Sequence, residues 1–394
     1  MNHLFSLILL IGSTNFTYAQ KVNVKKQFDF AKNQTDIMLQ EIPKADAKSD
    51  RVLPRTLEDG KLKLVVSKDW TSGFFPGILW YLYDYTGDSK WLNQAQTFTE
   101  KLEKEQFNKG THDLGFIINC SYGNGYRLTK NEAYKNIIIQ AAKSLSTRFN
   151  PQTGVIRSWD HNKNKWQYPV IIDNMMNLEM LFEATKFTGD SSYYNIAVSH
   201  ANKTLENHFR PDFSSFHVVD YNVENGEVTK RSTHQGYSDA SAWARGQAWA
   251  LYGYTMCYRE TKNPAYLKQA EGIAGFILNN LPADMVPFWD YDDPEIPNVS
   301  RDASAAAITA SALYELRLYS SDGKIYTKAA NSILKSLSSK YTSEPGENKG
   351  FILDHSTGHR PVNSEVDVPL NYADYYYLEA LLRYNTLKSK KHKG

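Results

Sequence analysis

The sequence predicts an all-α fold, an (α/α)6 barrel of six helical hairpins with minor β-strands in its loops. Three observations predict it. Five segments repeat one grammar: a turn, an aromatic residue, then an amphipathic stretch. Less charged helical stretches rich in small and aromatic residues alternate with them. Runs with β character are few: 61–66, 215–219 and, more weakly, 350–353.

The repeated segments begin Thr86-Gly-Asp-Ser-Lys-Trp91, Thr129-Lys-Asn-Glu-Ala-Tyr134, Thr188-Gly-Asp-Ser-Ser-Tyr193, Thr261-Lys-Asn-Pro-Ala-Tyr266 and Ser321-Asp-Gly-Lys-Ile-Tyr326. Their unequal spacing argues against a short-period solenoid and fits hairpins joined by loops of different length. The stretches that follow carry polar stripes, such as Gln94, Thr97, Glu100, Lys101 and Lys104, and read as outer, half-solvated helices. The intervening stretches 77–85, 114–128, 174–187, 243–258, 304–319 and 372–384 read as inner helices. Together with a helix over 25–42 they make six pairs. The polar stretch 44–60 reads as a surface loop. No linker or charge block divides residues 20–394, so one domain is expected.

An apolar content of 41% supports a large core, and a net charge of +2 gives no basic field for nucleic acid. Residues 4–11 form an apolar run before a small-residue cleavage site at Thr17-Tyr18-Ala19. Residues 1–19 therefore read as a signal peptide, and the mature chain as exported and periplasmic. No stretch is long and apolar enough to span a membrane. Cys120 and Cys257 fit either a bridge or two buried thiols. No Cys/His spacing resembles a zinc site and no phosphate loop or serine elbow occurs, so neither a metal nor a cofactor is expected. Nothing in the pattern sets an oligomeric state.

The chemistry gathers where the inner helices begin, because helix N-termini favour anions. The densest cluster runs from Thr233 to Tyr254, a polar loop entering an aromatic, Ala-rich helix with Ser241 as candidate N-cap. Arg245 lies in an apolar stretch and must find an anion or carbonyls. With Gln235, Trp243 and Trp249 it suggests a pocket for an acidic sugar; a structural ion pair is the other reading. Asp113 and Asp173 each open an inner helix and form the natural acid/base pair. Asp173 sits among Val170, Ile171, Ile172, Met175 and Met176, surroundings that raise a carboxyl pKa. Asp is also a favoured N-cap, so each fits a purely structural role too. His217 lies in an apparent strand or loop, and Trp70 follows a turn and could stack on a sugar. His355, His359 and Arg360 could contact a sulfate or carboxylate, and read first as a solvated loop.

These segments resemble one family. Asp69-Trp-Thr-Ser-Gly-Phe-Phe-Pro-Gly77, His112-Asp-Leu-Gly-Phe116, Ile171-Ile-Asp-Asn-Met-Met-Asn-Leu178, the block from Thr233 to Tyr252, Arg301-Asp-Ala-Ser-Ala-Ala-Ala-Ile308 and Tyr372-Ala-Asp-Tyr-Tyr-Tyr-Leu-Glu-Ala380 resemble the unsaturated glucuronyl hydrolases of glycoside hydrolase family 88. The resemblance implies removal of a 4,5-unsaturated uronic acid from the non-reducing end of polysaccharide-lyase products, of glycosaminoglycan or ulvan type. The route is hydration of the C4=C5 enol ether rather than direct attack at the anomeric carbon. It implies that Asp173 is the general acid/base and Asp113 the second essential carboxylate. His217 and Gln235 would lie near the double bond and the attacking water. Arg245 would face the uronate carboxylate, with Trp70 and Trp249 as walls. Tyr372 matches less closely, because Ala373 stands where the family often has Gly. A non-catalytic glycan-binding protein on the same barrel, or a rhamnogalacturonyl hydrolase acting on pectin fragments, are the alternatives.

Overall fold

The computed structural model describes residues 21–45 and 50–391; the stretch 1–19, expected to be a signal peptide, lies outside them. Twelve α-helices follow in order: α1 (Val24–Ala45), α2 (Phe74–Thr86), α3 (Ser89–Glu100), α4 (Asn124–Thr129), α5 (Glu132–Ser146), α6 (Leu178–Thr188), α7 (Ser191–Asn207), α8 (Ala244–Thr261), α9 (Pro264–Asn280), α10 (Ala303–Leu316), α11 (Gly323–Lys340) and α12 (Asn371–Lys391). A π-helix, Gly115–Gly123, leads directly into α4, and a 3₁₀ segment, Ile172–Asn177, into α6. The inner ring is α2, the π-helix with α4, the 3₁₀ segment with α6, α8, α10 and α12. The outer ring is α1, α3, α5, α7, α9 and α11. The fold is the expected (α/α)6 barrel.

The repeated turn has a local chemical cause. Four of the inner helices end on a left-handed residue, Gly87, Lys130, Gly189 or Lys262, with φ of 68°, 57°, 76° and 58°, whereas α10 ends on Arg317 in the right-handed region. The hydroxyl of Thr86, Thr129, Thr188 or Thr261 accepts the N–H of the Asp or Asn two residues on. That Asp or Asn then caps the outer helix, accepting from Lys90, Ala133, Ser192 or Ala265. Reversal and capping are thus coded within a few residues. In the fifth copy Ser320 supplies the hydroxyl, and Asp322 makes no side-chain cap.

Inner helices are buried nearly all round; every residue of α10 is. They meet through rings, with Phe74, Phe116, Trp249, Tyr375 and Tyr376 in mutual contact. At their C-terminal ends Arg259 pairs with Glu179, Glu260 and Glu315, and Arg383 with Glu315 and Glu379.

The strands are β1 (Leu53–Glu58), β2 (Lys61–Val65), β3 (Phe149–Asn150), β4 (Val155–Ile156), β5 (Pro169–Ile171), β6 (Val218–Tyr221), β7 (Val228–Ser232), β8 (Ser356–His359) and β9 (Ser364–Val368). All pairings are antiparallel. Three expectations need correction. Residues 53–58, read as loop, pair with β2. Residues 350–353 form no strand: Gly350 closes a 3₁₀ turn, and Leu353 makes one isolated bridge to Thr342. Residues 354–361, read as a solvated loop, contain β8, in which Ser356, Thr357 and Gly358 are buried. Cys120 and Cys257 are both buried free thiols.

Candidate active site

The candidate residues lie on the elements at the N-terminal ends of the inner helices. Asp173 lies on the 3₁₀ segment, delivered by β5 from a three-stranded sheet in which β6 is central. Its side chain caps no helix, and its Oδ2 is buried without a hydrogen-bond partner. Burial pushes its carboxyl up to about 7; the nearby Arg245 cation pulls the other way, and the Asp113 carboxylate adds to the rise. The three groups sense one another, as a shared site requires.

His217 adjoins β6. Its Nδ1 accepts two backbone N–H groups, from His234 and Gln235, at 3.0 Å each. Those donors fix the tautomer, so any proton on the neutral ring sits on Nε2. Nε2 has no hydrogen-bond partner and lies 3.8 Å from Asp173 Oδ2, beyond hydrogen-bond range. Burial, with His234 and His359 nearby, holds the imidazole well below its ordinary pKa. His217 therefore offers an N–H and no base on this side.

The loop from Thr233 to Trp243 is pinned from below. Asp290 Oδ2 accepts from the backbone of Tyr237 and the hydroxyl of Ser241, and Asp292 accepts from Ala242. Ser241 is thus a loop anchor; the N-cap position is Trp243, which makes no side-chain cap. Gln235 donates from Nε2 to the Gly358 carbonyl of β8.

Arg245, 1% exposed, takes the structural reading further than its expected role allows. Nη1 pairs with Asp302 at 2.9 Å and also donates to the Thr357 carbonyl, while Nη2 donates to the Gly358 carbonyl at 2.5 Å. Asp302 is itself held by the backbone of Ser304 and Ala305 at the start of α10. Nε alone lacks a partner. The guanidinium therefore ties β8 to the barrel mouth and supplies a fixed positive field.

The aromatic residues form a continuous floor. The Arg245 guanidinium lies over Trp243 at 4.4 Å and Tyr372 at 5.4 Å. Tyr372 contacts Trp70, Trp70 contacts Phe116, and Phe116 contacts Trp249. Trp70 is half-buried; Trp249 and Tyr372 are fully buried beneath it. Ala373 continues α12 and Tyr372 keeps its place in the floor. Asp173, His217, Gln235, Arg245, Tyr372, Trp70 and Trp249 are thus linked by a chain of contacts, and Asp113 by the charge it exerts on Asp173. Asp173 Oδ2, His217 Nε2, Arg245 Nε, Trp249 Nε1 and Tyr372 Oη are buried there without partners. Orphaned buried polar atoms are costly, and such a concentration is typical of a site built for something else.

Of the rim, sequence reasoning weighed only His359 and missed Trp159, His161 and His234. Trp159 stacks on His161 and meets His234, and His234 meets His359, whose Nε2 contacts the His234 carbonyl at 2.9 Å. Burial takes His234 down to about 4, so that imidazole is uncharged near neutrality. The segment Arg157-Ser-Trp-Asp-His161 could have flagged it. His355, by contrast, pairs with Asp367 at the surface. Among the described residues no group of three or more His, Cys, Asp or Glu side chains converges as metal ligands.

The model of Glycosyl Hydrolase Family 88 matches residues 48–386. The chain belongs to that family. An unsaturated glucuronyl hydrolase of Formosa agariphila is 54% identical over 327 residues, covering 82% of each chain. An unsaturated chondroitin disaccharide hydrolase of Streptococcus pyogenes is 34% identical and covers 86% of each. A solved unsaturated glucuronyl hydrolase specific for heparin superposes with a TM-score of 0.88 at 48% identity, covering 93% of this chain and 98% of that one.

Proposed function

We propose that this family 88 enzyme hydrates the 4,5-unsaturated uronic acid at the non-reducing end of glycosaminoglycan-derived oligosaccharides, with Asp173 as the proton donor. The carrying observation is a buried carboxyl held up to about 7 whose free oxygen faces a neutral imidazole. Asp173 delivers its proton to C4, and positive charge develops across C5 and the ring oxygen. Water adds at C5 and returns its proton to the Asp173 carboxylate, which restores the acid. The C5 hemiketal opens to a ketone, and the hemiacetal left at C1 collapses and releases the remaining sugar. One water is consumed and no covalent enzyme intermediate forms.

His217 Nε2–H donates to the attacking water or to the newly formed carboxylate and cannot itself take the proton. The Arg245 field stabilises Asp173 while it is ionised, and Arg245 Nε is the donor left for the uronate. Trp70 supplies the sugar-facing wall above Tyr372 and Trp249, and Gln235 fixes the hairpin over the site. Asp113 keeps the neighbouring proton in place by repulsion. A glycan-binding protein without catalysis would have no use for an acid kept protonated near neutrality. Export to the periplasm is part of the same reading and rests on the apolar run at 4–11.

The test is loss of enol-ether absorbance when unsaturated heparin and chondroitin disaccharides, sulfated and unsulfated, are added. Unchanged absorbance with every member of the panel overturns the activity. Normal turnover by Asp173→Asn overturns the acid.

A further inference from the structure

The two aspartates come from segments sixty residues apart in sequence, and something must fix their spacing. Asn177, fully buried at the end of the 3₁₀ segment that carries Asp173, is placed to do so. Its Oδ1 accepts the backbone N–H of Gly115 at 2.8 Å and of Phe116 at 3.3 Å. Those two residues open the π-helix, which begins two positions after Asp113 with Leu114 as its N-cap. A π-helical start widens the backbone, leaves its first N–H groups without partners in the helix, and is frequent at functional sites. The approach is close: a Cβ on Gly115 would fall 2.6 Å from Asn177 Cα and 2.6 Å from its Oδ1. On the other side a Cβ on Gly73 would fall 2.1 Å from the Phe116 carbonyl, so the π-helix is gripped from two directions. Asn177 Nδ2 has no partner, so the side chain is held by its acceptor alone.

We propose that Asn177 is a positioning residue for the reaction: its carbonyl oxygen clamps the Asp113 segment against the Asp173 segment and sets the geometry of the carboxyl pair. The inference rests on the acid/base reading above. Asp173 is faced by Asp113 from the π-helix side, His217 from the sheet and Arg245 from α8. Loosening the clamp weakens the carboxylate repulsion and admits solvent, and both favour the ionised acid.

The experiment compares Asn177→Ala, which deletes the acceptor, with Asn177→Asp, which keeps it and adds a negative charge. The Ala variant is expected to lose about ten- to a hundredfold in kcat, as slight misplacement does, with KM within about twofold. The alkaline limb of its kcat profile moves to lower pH. The Asp variant recovers most of kcat below its limb, and the limb moves to higher pH. Hydrogen exchange over residues 113–120 quickens in the Ala variant and is restored in the Asp variant. Wild-type kcat and limb in Asn177→Ala, or equal impairment of both variants with an unmoved limb, overturns the proposal. If Asn177→Ala does not fold, an unmoved limb in Asn177→Asp overturns it alone. Asp173→Asn is run beside them: normal turnover there means the acid reading has failed, whereas its inactivity beside a wild-type-like Asn177→Ala means only the clamp has.

Discussion

Replacing Asp173 by Asn should abolish turnover and at the same time stabilise the protein in a pH-dependent way. The carboxyl titrates at 3.8 in an unstructured chain and at about 7 in the folded one. Between those values the folded state holds a proton that the unfolded state has lost. Stability therefore falls as pH rises through that window and is level on either side. At about 1.4 kcal/mol per pH unit the full loss is about 4 kcal/mol. Asparagine carries no titrating proton and escapes it. Relative to wild type, Asp173→Asn should gain about 2 kcal/mol near pH 5 and about 4 kcal/mol near pH 8, on top of any pH-independent offset from the amide. Urea unfolding of both proteins across that range reads the difference. The reasoning is refuted if the difference stays flat with pH. It also requires wild-type kcat to fall on an alkaline limb with its midpoint near 7, because the reactive form is the protonated one.

Two other substitutions separate structural from chemical roles. Arg245→Lys keeps the charge but cannot hold Asp302 and two carbonyls at once, so it should destabilise by about 3–5 kcal/mol, read as a lowered unfolding midpoint. A change confined to KM would instead restore the simple carboxylate-gripping role. Tyr372→Phe removes a buried hydroxyl with no partner, so stability should hold or rise by about 1 kcal/mol, while kcat/KM falls about tenfold if that hydroxyl meets the sugar. Thermal melts and steady-state kinetics on the same preparations check both halves.

The hairpin architecture was legible because its determinants are local. Thr, Asp or Asn, and an aromatic within six positions specify where one helix stops and the next begins, and periodicity then separates inner from outer faces. Asp113, Asp173 and His217 each fit a bland structural reading on residue chemistry alone, as helix caps or a satisfied histidine, and it is the resemblance to family 88 that singles them out. What stayed hidden depends on distant partners. The strand at 356–359 is buried because Arg245, more than a hundred residues away, satisfies its carbonyls. Ser241 looks like a cap until Asp290 is seen to claim its hydroxyl. Asn177 is one of two asparagines that follow Asp173 within four positions, and its use emerges only when the π-helix lies against it. The rim from Trp159 to His359 draws on three loops with no common sequence signature.

The Arg245 anchor has a consequence for how relatives could diverge. Its contacts fall on the carbonyls of Thr357 and Gly358, so they are blind to the side chains there. The turn beyond, from Arg360 to Asn363, is exposed at Pro361, Val362 and Asn363 and free of those ties. Length and charge at that tip can change while the reacting groups stay where they are, which makes it a natural place to exchange sequence when retuning the enzyme toward a differently decorated sugar chain.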